Sequence, residues 1–116
     1  PRTTSEEFSS DGSIIAQSTE NQSVQVWDFR GEGPMQEIKV HSPGSVLDAA
    51  ISVDGQLLAA ASASGAIEIY SLETYELLNT LELKTGPINQ ITFSSDGKYI
   101  ISGSADGTVR FFGLYP

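Results

Sequence analysis

FSSDG stands at residues 8–12 and again at residues 93–97, and between them, at residues 51–55, lies the related ISVDG. Set in register on Asp11, Asp54 and Asp96, the copies are spaced by 43 and 42 residues. The frame around them also recurs. Sixteen residues after each Asp comes an aromatic (Trp27, Tyr70, Phe112), and five residues before that aromatic stands a turn position, Gln22, Gly65 or Gly107. Self-similarity at a fixed period marks a repeat architecture, so the repeat decides the fold before any local reading does.

The composition of one unit follows from its patterning. After each Asp-Gly a short apolar run (SIIA, QLLAAA, KYIIS) leads to a polar or small break (STENQ, SASG, SADG). Alternation follows, in Val24-Gln25-Val26, Ile67-Glu68-Ile69 and Val109-Arg110-Phe111. Period-2 patterning in β-branched and aromatic residues, bounded by turn residues, predicts antiparallel hairpins. Asp106-Gly107 suits a tight turn, since both residue types reach positive φ. A strand before each Asp-Gly is expected in SVLDAAISV and PINQITFSS, with Val46, Ile51, Ile88, Ile91 and Phe93 facing inward. PMQEIKV and ELLNTLEL supply a fourth strand. LETYELLNTLEL has a partly helical leucine spacing, but its place in the repeat predicts a turn and then a strand. Four short antiparallel strands per unit, at this period, are the dimensions of a propeller blade.

The chain has 116 residues, with 6 Lys and Arg against 15 Asp and Glu, for a net charge of −9. Nucleic acid and anionic membranes are held by clustered cations, so neither is an expected partner. There is no cysteine, which excludes disulfides, thiol catalysis and cysteine-ligated zinc. No apolar run approaches the roughly 20 residues that span a bilayer, and PRTTSEEF lacks the basic and apolar blocks of a signal peptide. The expectation is a soluble intracellular protein, cytoplasmic or nuclear.

The units resemble the blades of WD-repeat β-propellers. PINQITFSSDGKYIISGSADGTVRFF carries the resemblance best, the middle copy follows in SVLDAAISVDGQLLAAASASGAIEIYSLETYELLNTL, and VQVWD at residues 24–28 holds the chain's one Trp-Asp pair. The expected fold is therefore all-β, with four-stranded antiparallel blades forming part of a propeller and no closed ring. The expected blades are residues 1–40, with a weak first strand in TTSEEF, residues 41–83, and residues 84–116, lacking a fourth strand. Thr3 and Glu6 occupy the positions of Ile88 and Ile91. Such an arc leaves open edges and apolar faces, so either the chain is part of a longer propeller or several copies assemble.

The resemblance also implies a hydrogen-bond network of His, Ser or Thr, Asp and Trp in each blade. No copy has all four. The third keeps Ser102 and Asp106 but has Lys84 and Phe112 at the His and Trp positions; the first keeps Trp27, with Asn21 and Gln17 for Asp and Ser. The middle has Tyr70, Ala60 and Ser64, and His41 fills the His role only if the extra residue of the 43-residue spacing follows it. A partial polar network is worth little, so these blades are expected to rely on apolar packing, with Asp106 capping its own hairpin.

Calcium loops need several closely spaced oxygen ligands, and FSSDG offers one carboxylate. A phosphate cradle opens a helix, whereas GSADGT opens a strand. Asp-Gly is read as a turn, and no metal or cofactor is expected. His41, the single histidine, could be grouped with Ser42 and Asp48, but nothing positions a nucleophile. Glu6 and Glu7 read as a solvated end. Trp27, Phe29, Tyr70, Phe93, Tyr99, Phe111 and Phe112 fall at repeat positions and read as core. No enzyme is expected.

What the resemblance implies is a non-catalytic scaffold that binds a protein or peptide on the face made by the loops entering the first strands and the hairpins between second and third strands. In this chain those are Glu20, Asn21, His41, Ser42, Ala63, Ser64, Lys84, Thr85, Ala105 and Asp106. Ser102, Asp106, Trp27, Tyr70 and Phe112 are the structural candidates. The alternative role is architectural, completing a larger or oligomeric ring whose binding site lies elsewhere.

Overall fold

A computed structural model describes residues 3–31 and 33–114. Residues 1–2 and 115–116, at the outer ends of the expected first and third units, lie outside the described residues, as does Glu32. Among the described residues eleven strands are formed: β1 (Thr3–Phe8), β2 (Ile14–Thr19), β3 (Ser23–Asp28), β4 (Gln36–Lys39), β5 (Val46–Ile51), β6 (Leu57–Ser62), β7 (Ala66–Ser71), β8 (Leu77–Glu82), β9 (Ile88–Phe93), β10 (Tyr99–Ser104) and β11 (Val109–Gly113). They form three antiparallel sheets in sequence order, β1 to β4, β5 to β8 and β9 to β11. Among the described residues there is no helix, and hence none long and apolar enough to cross a membrane.

The Asp-Gly stretches are the turns that join the first and second strand of each sheet, and all three have the same wiring. Asp11 Oδ1 accepts from the Ser9 hydroxyl (2.9 Å) and the Ser13 amide (2.9 Å), while Ser9 Oγ accepts the Ile14 amide (3.0 Å). Asp54 repeats this with Ser52 (2.7 Å) and Gln56 (3.0 Å), and Asp96 with Ser94 (2.6 Å) and Lys98 (2.9 Å). Gly12, Gly55 and Gly97 have φ of 76°, 74° and 74°, the left-handed conformation that glycine adopts without penalty. Ser and Asp recur two residues apart because a short side chain can satisfy the backbone of its own turn. These bonds stabilise the ionised carboxyls: Asp11 is lowered to about 2, chiefly by the Ser13 hydroxyl, and Asp54 and Asp96 are lowered chiefly by Ser52 and Ser94.

The inner strands repeat as well. β1 lies against β5 and β5 against β9, so these three line the inside of an open arc. Each carries one unpaired residue at the same place, Thr4, Leu47 and Asn89, where the register slips. A β-bulge here sharpens the local twist. TTSEEF is polar, yet it pairs along β2 from Ser5–Ser18 to Phe8–Ile15. Its hydrogen bonds and neighbours, rather than its own hydrophobicity, make it a strand.

Two cores lie between the three sheets. Ile14, Ala16, Val24, Val26, Ile38 and Val40 of the first sheet meet Val46, Ile51, Leu58, Ala60, Tyr70 and Leu72 of the second. On the far side of the second sheet, Ala59, Ala61, Ile67 and Ile69 meet Ile88, Ile91, Phe93 and Ile100. The middle sheet is thus covered on both faces. Its run Ala59-Ala60-Ala61 sends small side chains alternately to the two cores, which lets the neighbours approach closely. Each fully buried Ile, Leu or Val contributes about 1.5–3 kcal/mol relative to exposure.

Three of the aromatics read as core are instead exposed: Phe29 (63%), Tyr99 (44%) and Phe111 (65%). Tyr99 and Phe111 lie at positions that are core in the first two sheets, but the third sheet has no described neighbour on that side. Phe29 lies just past the end of β3, beyond the packed part of the sheet.

Candidate functional site

Successive strands run in opposite directions, so the β2–β3, β6–β7 and β10–β11 hairpins share one edge of the arc with the β4–β5 and β8–β9 connections. Each hairpin carries a positive-φ residue at its turn: Gln22 (64°), Gly65 (91°) and Gly107 (85°). The hairpins are tied to the connections that enter their sheets. The Ala63 amide donates to Ser45 O and the Ala105 amide to Pro87 O, both at 2.9 Å. In the first sheet the Gln22 side chain donates to Val40 O (3.0 Å) and Ser42 O (2.7 Å). In the second, Gly65 lies so close to the next connection that a Cβ would sit 2.8 Å from Leu83 O and 2.9 Å from Gly86 O.

The expected face residues divide into two groups. Glu20, Asn21, His41, Ser64, Lys84, Ala105 and Asp106 are exposed and Ala63 is half-buried, whereas Ser42 (8%) and Thr85 (5%) are buried. His41, Ser42, Ser64 and Lys84 line one groove of about 640 Å³, with Glu68, Thr80 and Glu82 along it. Glu20 and Asn21 lie on the neighbouring hairpin, where Ser45 Oγ donates to Glu20 O (3.2 Å). Asp106 bonds within its own turn, accepting from the Thr108 amide (3.0 Å) and hydroxyl (2.6 Å), and the Thr108 hydroxyl foremost holds its carboxyl below the usual range. Ser102 is buried, and its hydroxyl has no partner among the described residues. Trp27 is half-buried on the outer side of the first sheet; Phe112 packs against the second core.

Under this face lies a carboxylate that the sequence patterning concealed. Glu68 sits mid-strand between Ile67 and Ile69 and is 1% exposed. It accepts the His41 amide (3.0 Å), the Ser42 amide (2.6 Å), the Ser42 hydroxyl (2.5 Å) and the Tyr70 hydroxyl. Burial pushes its carboxyl up, but the bonds from Ser42, Tyr70 and the two amides outweigh burial and leave it below the ordinary range. Tyr70 is driven upward, first by burial and then by Glu68. In an alternating strand a polar residue between two apolar ones ordinarily faces solvent. The one available signal was that its strand lies in the middle copy, where both faces are covered. Its histidine contact is the His41 backbone, and the connection from Val40 to Val46 is one residue longer than that from Leu83 to Ile88. The pairing of Ser42 with Glu68 also separates it from Asp48.

Asp48 has its own task at the inner wall. Its carboxylate accepts the Ser5 hydroxyl of the first sheet (2.9 Å) and the Ile91 amide of the third (2.9 Å). One side chain on the middle sheet thereby holds both neighbours. At the opposite edge, Arg30 pairs with Asp28 (2.9 Å) and donates to Gly55 O (2.9 Å), again joining sheets one and two.

The model of the WD domain, G-beta repeat family matches residues 32–71 and 75–112, well over half of the chain. Each match begins before an outermost strand and ends with the third strand of the next sheet, so the sequence repeat is staggered against the sheets. The chain is 28% identical over 104 residues to WD repeat-containing protein 55 of Bos taurus, across 88% of this chain and 26% of that protein. It is 29% identical over 113 residues to the COMPASS component SWD3 of Saccharomyces cerevisiae, across 90% of this chain and 36% of that protein. It is 32% identical over 110 residues to the serine-threonine kinase receptor-associated protein of Dictyostelium discoideum, across 94% of this chain and 36% of that protein. The chain therefore spans about a quarter to a third of these relatives. With its repeated sheets and turns, this chain belongs to the WD domain, G-beta repeat family.

Proposed function

We propose that the chain acts as a non-catalytic, intracellular scaffold, in the cytoplasm or nucleus, that presents its hairpin edge to a protein or peptide partner. The observation that carries this reading is the gathering of exposed polar groups from all three sheets on one edge, above connections fixed by buried bonds. Glu20, Asn21, His41, Ser64 and Lys84 are its contact residues, with Asp106 at the far hairpin. Ser42 and Thr85 act from beneath, holding the connections. A rigid support lowers the ordering cost of binding, which favours affinity from a modest contact area. The net charge of −9 favours a basic or neutral partner. One relative is a COMPASS component, and a role within an assembly suits this chain as well.

Reversal of charge at Glu20 combined with removal of the Lys84 ammonium tests the face, using affinity capture of partners and titration with the captured protein. A change of at least about tenfold in dissociation constant is expected. Unchanged affinity would discard this face in favour of the architectural role, in which the sheets only complete a ring.

A further inference from the structure

The joint between the second and third sheets lacks two bonds that the joint between the first and second sheets makes. At the edge of the Asp-Gly turns the first joint is bridged twice. The Ser10 hydroxyl donates to Val53 O (3.2 Å), and the Arg30 guanidinium, paired with Asp28, donates to Gly55 O (2.9 Å). In the repeat register Val53 stands for Ser10 and Glu73 for Arg30, and the corresponding acceptors are Ser95 O and Gly97 O. The backbone keeps this register as far as Glu73. Its amide donates to Ser71 Oγ (3.1 Å), as the Arg30 amide donates to Asp28 Oδ1 (2.9 Å). A valine and a carboxylate side chain have no hydrogen to give, so neither bridge forms in the second joint. The space differs accordingly. A Cβ on Gly55 would lie 2.8 Å from Arg30 Nη1, whereas one on Gly97 would meet nothing within 4 Å.

We propose that the cleft left between these two turns, lined by Val53, Asp54, Leu57, Asp96, Gly97 and Lys98, receives an arginine side chain of a protein partner. Its guanidinium donates to Gly97 O and to carboxylate oxygens beside it, as Arg30 donates to Gly55 O and Asp28 in the first joint. Asp54 and Asp96 each commit Oδ1 to their own turn, and among the described residues Oδ2 of each accepts nothing. Lys98, which forms no ion pair among the described residues, is the one opposing charge against Asp54, Asp96 and Glu73. A guanidinium suits the place because it is planar, always charged and able to serve a carbonyl and a carboxylate together, whereas a lysine ammonium is a point charge. Val53 (49% exposed) and Leu57 offer apolar surface to the methylenes of the arginine. The contact lies on the edge opposite the hairpins, so it stands apart from the binding face proposed there.

Titration of the isotopically labelled chain with the peptide acetyl-Gly-Arg-Gly-amide, followed by amide chemical shifts, tests this. Shifts should centre on Val53, Gly97 and Lys98, with saturation in the millimolar range. Peptides with lysine or with uncharged citrulline in place of arginine should bind at least about fivefold and tenfold more weakly. Glu73→Arg rebuilds the bridge of the first joint, so its own guanidinium fills the cleft and peptide affinity should fall by about tenfold or more. Glu73 is exposed, so the substitution leaves the cores untouched. Lys98→Gln, which installs the residue found at Gln56 in the second sheet, removes the opposing charge and should tighten binding by about two- to threefold. An unmoved Gly97 amide at the highest peptide concentration overturns the proposal. Equally fatal are citrulline or lysine peptides that bind as well as arginine, affinity indifferent to Glu73→Arg, weaker binding in Lys98→Gln, or shifts spread evenly over the acidic surface.

Discussion

Replacing Glu68 with Ala removes the acceptor for four donors at once: the His41 and Ser42 amides and the Ser42 and Tyr70 hydroxyls. Three of these contacts are buried. A buried donor left without a partner costs about 1–3 kcal/mol. The space vacated by the four heavy atoms beyond Cβ admits water, which satisfies part of the set. The net loss is then about 3–5 kcal/mol, a large share of the roughly 5–15 kcal/mol that holds a domain of this kind. In melting temperature this is a drop of about 12–25 °C for a chain of this length. Glu68→Gln keeps one acceptor oxygen and loses the charge, and is expected to cost about 1.5–3 kcal/mol. Gln25, at the same repeat position in the first sheet, serves as the control; Gln25→Ala should stay within about 0.5 kcal/mol. Denaturant unfolding with Tyr70→Phe as the second arm of a double-mutant cycle measures the coupling. A loss under about 1 kcal/mol for Glu68→Ala, or an equal loss for Gln25→Ala, would refute the claim that this carboxylate pins the connection between sheets.

Two further outcomes follow from the same geometry. Gly65→Ala combines positive φ (91°) with a Cβ 2.8 Å from Leu83 O, whereas Gly97→Ala meets open space and only its φ of 74° resists. Thermal melts should show a loss of about 3 kcal/mol or more for the first and about 1–2 kcal/mol for the second. As to pH, Glu68, Asp11, Asp54, Asp96 and Asp106 all have lowered carboxyls in the fold. Their contribution is complete above the ordinary carboxylate range and is lost as pH falls through the folded values, down to about 2 for Asp11. Glu7, raised by burial and then by Asp48, acts in the opposite sense but is one group against six, since Arg30 holds the Asp28 carboxyl low as well. Unfolding midpoints should therefore fall steadily from about pH 5 to pH 3, and less steeply in Glu68→Gln; a flat profile would contradict the assignment.

The repeat frame in the sequence was enough to read the strands, their antiparallel pairing and the Asp-Gly turns, because those features depend on local periodicity and on glycine at positive φ. The turn and strand in LETYELLNTLEL were legible for the same reason: the register overrode a misleading leucine spacing. Glu68 was not legible. A polar residue in an alternating strand reads as solvent-facing, and only the packing of a sheet covered on both sides turns it inward. Asp48 was visible only as a nominal partner for His41 and Ser42, because its actual partners, Ser5 and the Ile91 amide, are each 43 residues away in sequence and supplied by other sheets. The exposure of Tyr99 and Phe111 depends on which sheet stands at the end of the arc, a matter of neighbours rather than of local pattern.

Residue-resolved hydrogen exchange addresses the central claim, that three repeated sheets stack in an arc with the middle one as the shared core. Amides of β6 and β7, sealed between two cores, should exchange most slowly, those of β2 and β10 faster, and the Ile91 amide should lose its protection when Asp48→Ala removes its acceptor. Protection in β10 equal to or above that in β6, or an Ile91 amide indifferent to Asp48→Ala, would contradict the stacked arrangement.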